Sequence, residues 1–364
     1  ANTMVVGNTM RPLTDSLRIT RAKLAYLVDS TAAPVATIAL ISTWIGAMVG
    51  YIGSAEEAIP QFTEAAYSVF INSLPYNFYA FFTLFFVLAI AVSGRDFGPM
   101  LKARIQLYQA RHNPALDKYN LYKEKIQKDE ARQKVSHWAN AMIPILVLVI
   151  GVVGGLLFTG QGDTLQDLIG SADSYAALLW GALLSMVVAI AMTAVQRLLS
   201  INETLEGMFK GMHVMFDGLL VLVLAWALSA ITQDLGTADY LVSIFGTRLD
   251  PYLLPAIVFV LSAATAFATG SSWGTMGILM PLVLPLVWTL GTEFQLDSET
   301  VNVLMYANVS AVLAGSVWGD HSSPISDTTI LSSLATQCDH VEHVNTQLPY
   351  ALVGGVLSIL SYVA

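Results

Sequence analysis

The stretch 319–329, GDHSSPISDTT, holds two carboxylates, an imidazole and five hydroxyls, and apolar sequence lies on both sides of it. Hard oxygen ligands of this kind suit a small hard cation such as Na+. Pro324 lacks an amide hydrogen and breaks helical geometry. Gly319 opens backbone conformations closed to other residues. Together they predict a broken helix with exposed carbonyl oxygens near Asp320 and Asp327, joined by the hydroxyls of Ser322, Ser323, Ser326, Thr328 and Thr329. Backbone that leaves the helix at membrane depth has to line a cavity or be buried in protein. Burial disfavours the charged form of a carboxylate, so such a group takes up a proton or a metal ion, one at a time. That competition is sufficient for antiport, provided the carboxylate faces the two sides alternately. His321 titrates in the physiological range and is a candidate proton relay or pH sensor. The plainer readings are a helix cap or solvated loop for Asp320, an N-cap for Asp327, and a hydrogen-bonded structural role for His321.

A second interruption, FATGSSWGTMGILMP at 267–281, sets Ser271, Ser272 and Thr275 among Gly270, Gly274 and Gly277. It reads as a tip of small hydroxyl residues facing an ion, with a small-residue packing face as the alternative. Asn308 is one amide in an apolar span, either an ion ligand or a partner across helices. DHVEH at 339–343 is not the His-Glu-x-x-His zinc pattern and reads as a polar external loop. No Walker loop or nucleotide fingerprint is present, so ATP-driven pumping has no support. The protein is expected not to be an enzyme and to need no cofactor. An intramembrane hydrolase using paired Asp or the 340/343 histidines lacks the required spacing.

GNTMRPLTDS (7–16) aligns without gaps on GDHSSPISDT (319–328): Gly7 meets Gly319, Asn8 faces Asp320, Pro12 meets Pro324 and Asp15 meets Asp327. Downstream, DSTAAP (29–34) resembles VNTQLP (344–349). Duplicated halves with Gly- and Pro-interrupted segments at matching positions point to the central site of a secondary transporter. Asp15 also lies beside Arg11 and Arg18, so an ion pair competes with a site role.

These residues need elements to hold them. The chain has 364 residues, 55% hydrophobic and 12% charged, with a mean hydropathy of +0.62. A soluble domain carries about 25% charged residues, so the composition indicates an all-α polytopic membrane protein in a lipid bilayer. Apolar spans fall near 34–53, 76–93, 138–158, 175–195, 208–231 and 301–318. The region 252–290 is interrupted by 269–275, and a last run begins near Leu348. Ten of the seventeen Lys and Arg lie in 94–137, which makes that basic, partly helical linker cytoplasmic by the positive-inside rule. The acid-bearing segments 54–73 and 159–174 then lie outside. Inversion of the repeats needs an odd number of crossings between motif copies. A re-entrant 252–290 leaves six, and a broken span there makes seven. The net charge of −9 says little about partners, and with no basic patch with interleaved aromatics nucleic acid is not favoured. The single Cys338 excludes an intrachain disulfide. The chain opens without Met and closes inside an apolar run, and a fragment lacking parts of both ends is expected. The expected organisation is 1–93 as the end of the first repeat, with a broken segment and two transmembrane helices, 94–137 as linker, and 138–364 as the second repeat, with a broken segment at 319–349.

AGSVWGDHSSPISDTTILSS (314–333) closely resembles the signature of the NhaC-type sodium/proton antiporter family, and 11–35, 222–241 and 268–282 are similar to its other characteristic stretches. The resemblance implies an inverted-repeat transporter with re-entrant hairpins, a multi-pass protein of the cytoplasmic membrane exchanging Na+ for H+. Asp320 or Asp327 would bind Na+. Carried over by the resemblance, the ion- and proton-binding candidates are Asp320, His321, Ser323, Ser326, Asp327 and Thr328, with Thr269, Ser271, Ser272 and Thr275. First-repeat partners would be Asn8, Thr14, Asp15, Ser30 and Thr31. Some relatives exchange a carboxylate such as malate for lactate, so a sodium- or proton-coupled carboxylate or amino-acid transporter is the alternative. Li+ or an organic acid as cargo, and a homodimer, stay open.

Overall fold

The computed structural model describes residues 2–40, 44–110, 139–161, 172–209 and 249–364, with scattered positions between 212 and 235. Among these residues the chain is helical and contains no strand. Among the described residues, seven helical stretches are long and apolar enough to cross a membrane: Phe78–Gln109, Met142–Thr159, Ala176–Val195, Pro251–Thr269, Ser272–Glu293, Ser298–Ser322 and His340–Val363. The chain divides into two compact units, Ala1–Ala115 with Val221–Ala364, and Leu116–Leu220.

In the first unit, α1 (Asn2–Ser16) ends where Arg18 adopts a positive φ of 57°. There Ile19 N bonds Thr14 O and Arg18 N bonds Asp15 O, a closure that satisfies the last carbonyls of the helix. Thr20 then caps α2 (Arg21–Ser30) by accepting from Lys23 N. α3 (Ala33–Ile38) and α4 (Ile45–Glu56) follow, then α5 (Ala66–Ser73), α6 (Phe78–Ser93) and α7 (Gly98–Ala110).

The second unit holds α8 (Ala139–Thr159) and α9 (Ser174–Val195). They meet through small residues. A Cβ on Gly155 would come within 2.8 Å of Ala177 Cα, and one on Gly151 within 2.9 Å of Gly181 Cα. Close backbone approach of this kind is how helices associate when burial in lipid gives no hydrophobic gain.

The first unit continues with α10 (Leu254–Thr269), α11 (Ser272–Glu293), α12 (Ser298–Ser322), α13 (Asp327–Thr336) and α14 (His340–Val363). α10 ends at Gly270, φ 68°, where a Cβ would lie 2.7 Å from Ile325 O. Only glycine fits that turn, by conformation and by space. α12 lies directly on α10. A Cβ on Gly319 would overlap the Ala263 carbonyl, and one on Gly315 the Phe259 carbonyl. This contact holds the last turn of α12, with Asp320 and His321, at a set depth against its neighbour.

Several expectations change. The stretch 34–53 is divided between α3 and α4, and positions 41–43 lie outside the described residues. The region 252–290 is two helices, each long enough to cross by itself. The 7–16 motif is helical throughout and its break follows at 17–20, because the helix closes at Arg18 instead of at Pro12. DHVEH is no loop. Asp339 accepts from Glu342 N and starts α14, as an Asp three residues before Glu does at a helix N-terminus. The span at 208–231, most of the 222–241 stretch and the linker from 111 to 137 lie largely or wholly outside the described residues.

Candidate functional site

The break between α12 and α13 falls around Pro324, as the sequence suggests, while Gly319 stays helical within α12. Ser323 N bonds Asp320 O as α12 ends, and Ser326 caps α13 by accepting from Thr329 N. Ser323 Oγ donates to Phe267 O at 2.8 Å, tying the break to the end of α10. Asp320 is fully buried at 0% exposure. Its Oδ2 accepts from Thr328 Oγ1 at 3.0 Å, and that hydroxyl also lies 3.0 Å from Ser326 Oγ. Its Oδ1 has no hydrogen-bond partner among the described residues. Asp327 differs. It is exposed, and its Oδ1 accepts from Thr328 N at 2.8 Å. The N-cap is Ser326, one residue before the Asp327 that the sequence suggested; Asp327 is the first residue of α13, and Asp320 is the buried acid.

A second buried carboxylate faces the same break from α2. Asp29 is 1% exposed. Its Oδ2 accepts from Gln347 Nε2 at 2.8 Å and from Thr329 Oγ1 at 3.1 Å. The Nε2 atoms of His343 and His321 stand 3.9 and 4.0 Å away. Asp29 Oδ1 has no partner among the described residues. His321 joins the elements: its Nδ1 lies 2.7 Å from Tyr79 OH of α6, and its Nε2 3.1 Å from Ser30 Oγ of α2. Gln347 Nε2 also donates to His321 O at 2.6 Å. The arrangement is a buried, hydroxyl- and imidazole-lined core with two acids, each presenting one unsatisfied oxygen.

The structure brings some of the other candidates here and leaves others apart. Ser30 arrives at His321. Thr31 spends its hydroxyl on Leu27 O, and Thr14 on Met10 O and Arg11 O. Asp15 pairs with Arg21 at 3.0 Å, so the competing ion pair exists, with a different arginine from the two nearest in sequence. The side chain of Asn8 lies outside the described residues. In the 267–281 tip, Thr269 is exposed and bonds Thr265 O, Ser271 caps α11 by accepting from Gly274 N, and Thr275 bonds Ser271 O. Ser272 is buried at the first position of α11. These hydroxyls hold the turn together. Asn308 is buried with Oδ1 unpaired, but twelve residues up α12 from Asp320, about 18 Å at helical rise.

Sequence reasoning missed Asp29, Gln347, Tyr79 and the buried His343. A signal existed for two of them: Asp29 opens the DSTAAP motif and Gln347 sits inside VNTQLP, the second pair of duplicated motifs.

The model of the Na+/H+ antiporter family matches residues 35–364. The chain belongs to the Na+/H+ antiporter family. It is an integral, multi-pass membrane protein of that family, the one its 314–333 stretch resembles. It is 33% identical to an uncharacterized protein of Haemophilus influenzae over 100% of this chain and 67% of that one. It is 27% identical to the arginine/ornithine antiporter ArcD of Halobacterium salinarum over 63% of this chain and 42% of that protein. An uncharacterized Na(+)/H(+) antiporter of Haemophilus influenzae is 30% identical over 44% of this chain and 32% of its own length. The chain thus spans about two thirds of the first relative and less than half of the other two. Asp29 and Ser30 precede the matched region, while Asp320 and the α13–α14 residues fall inside it.

Proposed function

We propose that the protein exchanges Na+ for H+ across the cytoplasmic membrane, with 94–137 on the cytoplasmic side, and that the two ions alternate on Asp320. One observation carries this reading: a fully buried carboxylate at a helix break keeps one oxygen, Oδ1, without a hydrogen-bond partner. A lone buried carboxylate is costly by several kcal/mol, and binding a cation or a proton removes that cost. Thr328 holds the other oxygen and fixes the plane of the group. Na+ on Oδ1 keeps Asp320 ionised and draws on carbonyl and hydroxyl oxygens of the break. A proton on Oδ1 makes the group neutral and turns it into a donor. Occupancy by one expels the other, which couples opposite movements when the site opens to one side and then the other. Asp327, exposed and bonded to its own helix start, has no such need for a counter-ion.

The test is Na+-dependent dequenching of a pH dye in vesicles carrying the full-length protein. Asp320→Asn should abolish it, and wild-type exchange in that variant would refute the role given to Asp320.

A second reading is exchange of amino acids on the same architecture, favoured by the likeness to the arginine/ornithine antiporter. A cationic amino acid presents an ammonium group that could use Asp320 as Na+ does. Labelled arginine, ornithine, malate and lactate, tried in turn in the same vesicles, separate the two.

A further inference from the structure

The role proposed for Asp320 makes no use of the two histidines of the DHVEH segment. His340 stands partly exposed at the start of α14, and His343 is fully buried one turn on. His340 Nε2 lies 2.6 Å from Pro324 O, and a carbonyl only accepts, so that nitrogen carries a hydrogen. The orientation of Gln347 is set by its Nε2, which reaches two acceptors, Asp29 Oδ2 and His321 O. Its Oε1 therefore accepts from His343 Nε2 at 2.9 Å, so this nitrogen carries a hydrogen too. The remaining nitrogens, the two Nδ1 atoms, both face one hydroxyl: Ser333 Oγ lies 3.0 Å from His340 Nδ1 and 2.9 Å from His343 Nδ1.

The hydrogens can be counted. Ser333 has one hydroxyl hydrogen and three acceptors around it, the two imidazoles and Thr329 O at 2.8 Å. With both rings neutral, at most one of the two Nδ1···Oγ contacts is a hydrogen bond. One added proton makes both of them hydrogen bonds. The protonated ring donates to Oγ, and Oγ donates to the other ring. The cluster has a place for one extra proton, on either ring, with a hydroxyl between them.

We propose that His340, Ser333 and His343 form a proton-entry path that reaches the buried core at Asp29, separate from the place where the cation binds. This rests on the exchange reading and adds the route of one of its two ions. In the step, His340 as imidazolium gives its Nδ1 hydrogen to Ser333 Oγ while Ser333 passes its own hydrogen to His343 Nδ1. His340 is left neutral with its Nε2 hydrogen, His343 becomes the imidazolium, and the hydroxyl turns back to repeat the transfer. One proton moves and nothing is oxidised or reduced. The titratable groups facing His343 are Asp29 of α2, 3.9 Å from its Nε2, and His340 of its own helix, with His321 of α12 on the far side of Asp29. The side toward α13 offers the hydroxyls of Ser333 and Thr329. A charged His343 thus lies against a carboxylate that has no other cation within a hydrogen bond of it among the described residues.

The experiment compares two fluxes in vesicles of full-length protein: Na+-driven proton movement, and isotopic Na+/Na+ exchange, which moves no proton. Ser333→Ala should lower the first by about a hundredfold, the low end of what a positioned proton-transfer group contributes, and leave the second unchanged. His340→Ala should do the same and be restored by imidazole added to the buffer. Wild-type proton flux in Ser333→Ala overturns the path, and so does an equal fall of both fluxes in Ser333→Ala and His343→Gln. A wild-type protein without Na+-driven proton flux defeats the exchange reading alone. Nitrogen NMR of the imidazoles against pH then decides the path: His340 and His343 should titrate as a coupled pair in wild type and independently in Ser333→Ala, and an unchanged titration overturns it.

Discussion

The two copies of one sequence motif have different fates. In 319–328 the chain leaves the helix at Ser322, passes through Pro324 and starts again at Asp327. In 7–16 the aligned residues stay helical to Ser16. The aligned acids Asp15 and Asp327 both end at helix termini, one 25% exposed beside Arg21 and the other exposed. The acids that are buried, Asp320 and Asp29, are not aligned with each other. Asp320 matches Asn8, and Asp29 matches Val344. Alignment of the copies thus identifies where polar residues gather and misassigns which of them lie in the core. Burial is set by what packs against each copy. α12 is pressed onto α10 at Gly315 and Gly319, whereas Gly7 of α1 meets the Ala335 side chain of α13, where a Cβ would lie 2.6 Å from Ala335 Cβ.

This contrast can be broken by experiment. The largest effect should come from Asp320→Asn against Asp327→Asn in the dye-dequenching assay. The first should remove exchange, and the second should leave it close to wild type. Equal loss in both would mean that the aligned acids act as a pair. Next is Asp29→Asn, which keeps the shape of the side chain. We expect a fall in Na+-driven exchange of at least about tenfold, equivalent to ~1.4 kcal/mol, with folded protein retained by size-exclusion chromatography. Full activity would exclude Asp29 from the mechanism.

Glycine substitutions sharpen the comparison at the level of packing. Gly319→Ala drives a methyl into a backbone carbonyl, which cannot turn aside, and should cost about 1–3 kcal/mol or more, read as a lower midpoint of thermal unfolding in detergent. Gly7→Ala meets Ala335 Cβ at 2.6 Å, also fixed to its backbone but with a smaller overlap than at Gly319, and should cost less. The reverse order would show that α1 is packed more tightly than α12. The smallest effect is expected from Asp15→Asn. It breaks a partly exposed ion pair with Arg21, worth about 0–1 kcal/mol, and should leave exchange unchanged.

The sequence alone determined the class and much of the local chemistry. A low charged fraction and long apolar runs fix a helical membrane protein because the bilayer tolerates few charges and demands satisfied backbone. The break at 319–329 was legible because Pro324 acts over a few residues, though the cap fell on Ser326 and not on Asp327, and the family was legible through the motif around Asp320. The residues that meet across the break were not legible. Asp29 and Thr329 are 300 positions apart, and Asp29 and Gln347 are 318 apart. Their pairing depends on α2, α13 and α14 packing side by side. The DHVEH segment shows the same limit. Its polarity suggested a loop, yet one turn of α14 carries His343 to 0% exposure while leaving His340 at the edge. Helical periodicity places two histidines three residues apart on one face. Only the tertiary structure decided that Ser333 would stand between them, because a hydroxyl on one helix finds its partners on another through packing, and no local pattern records that.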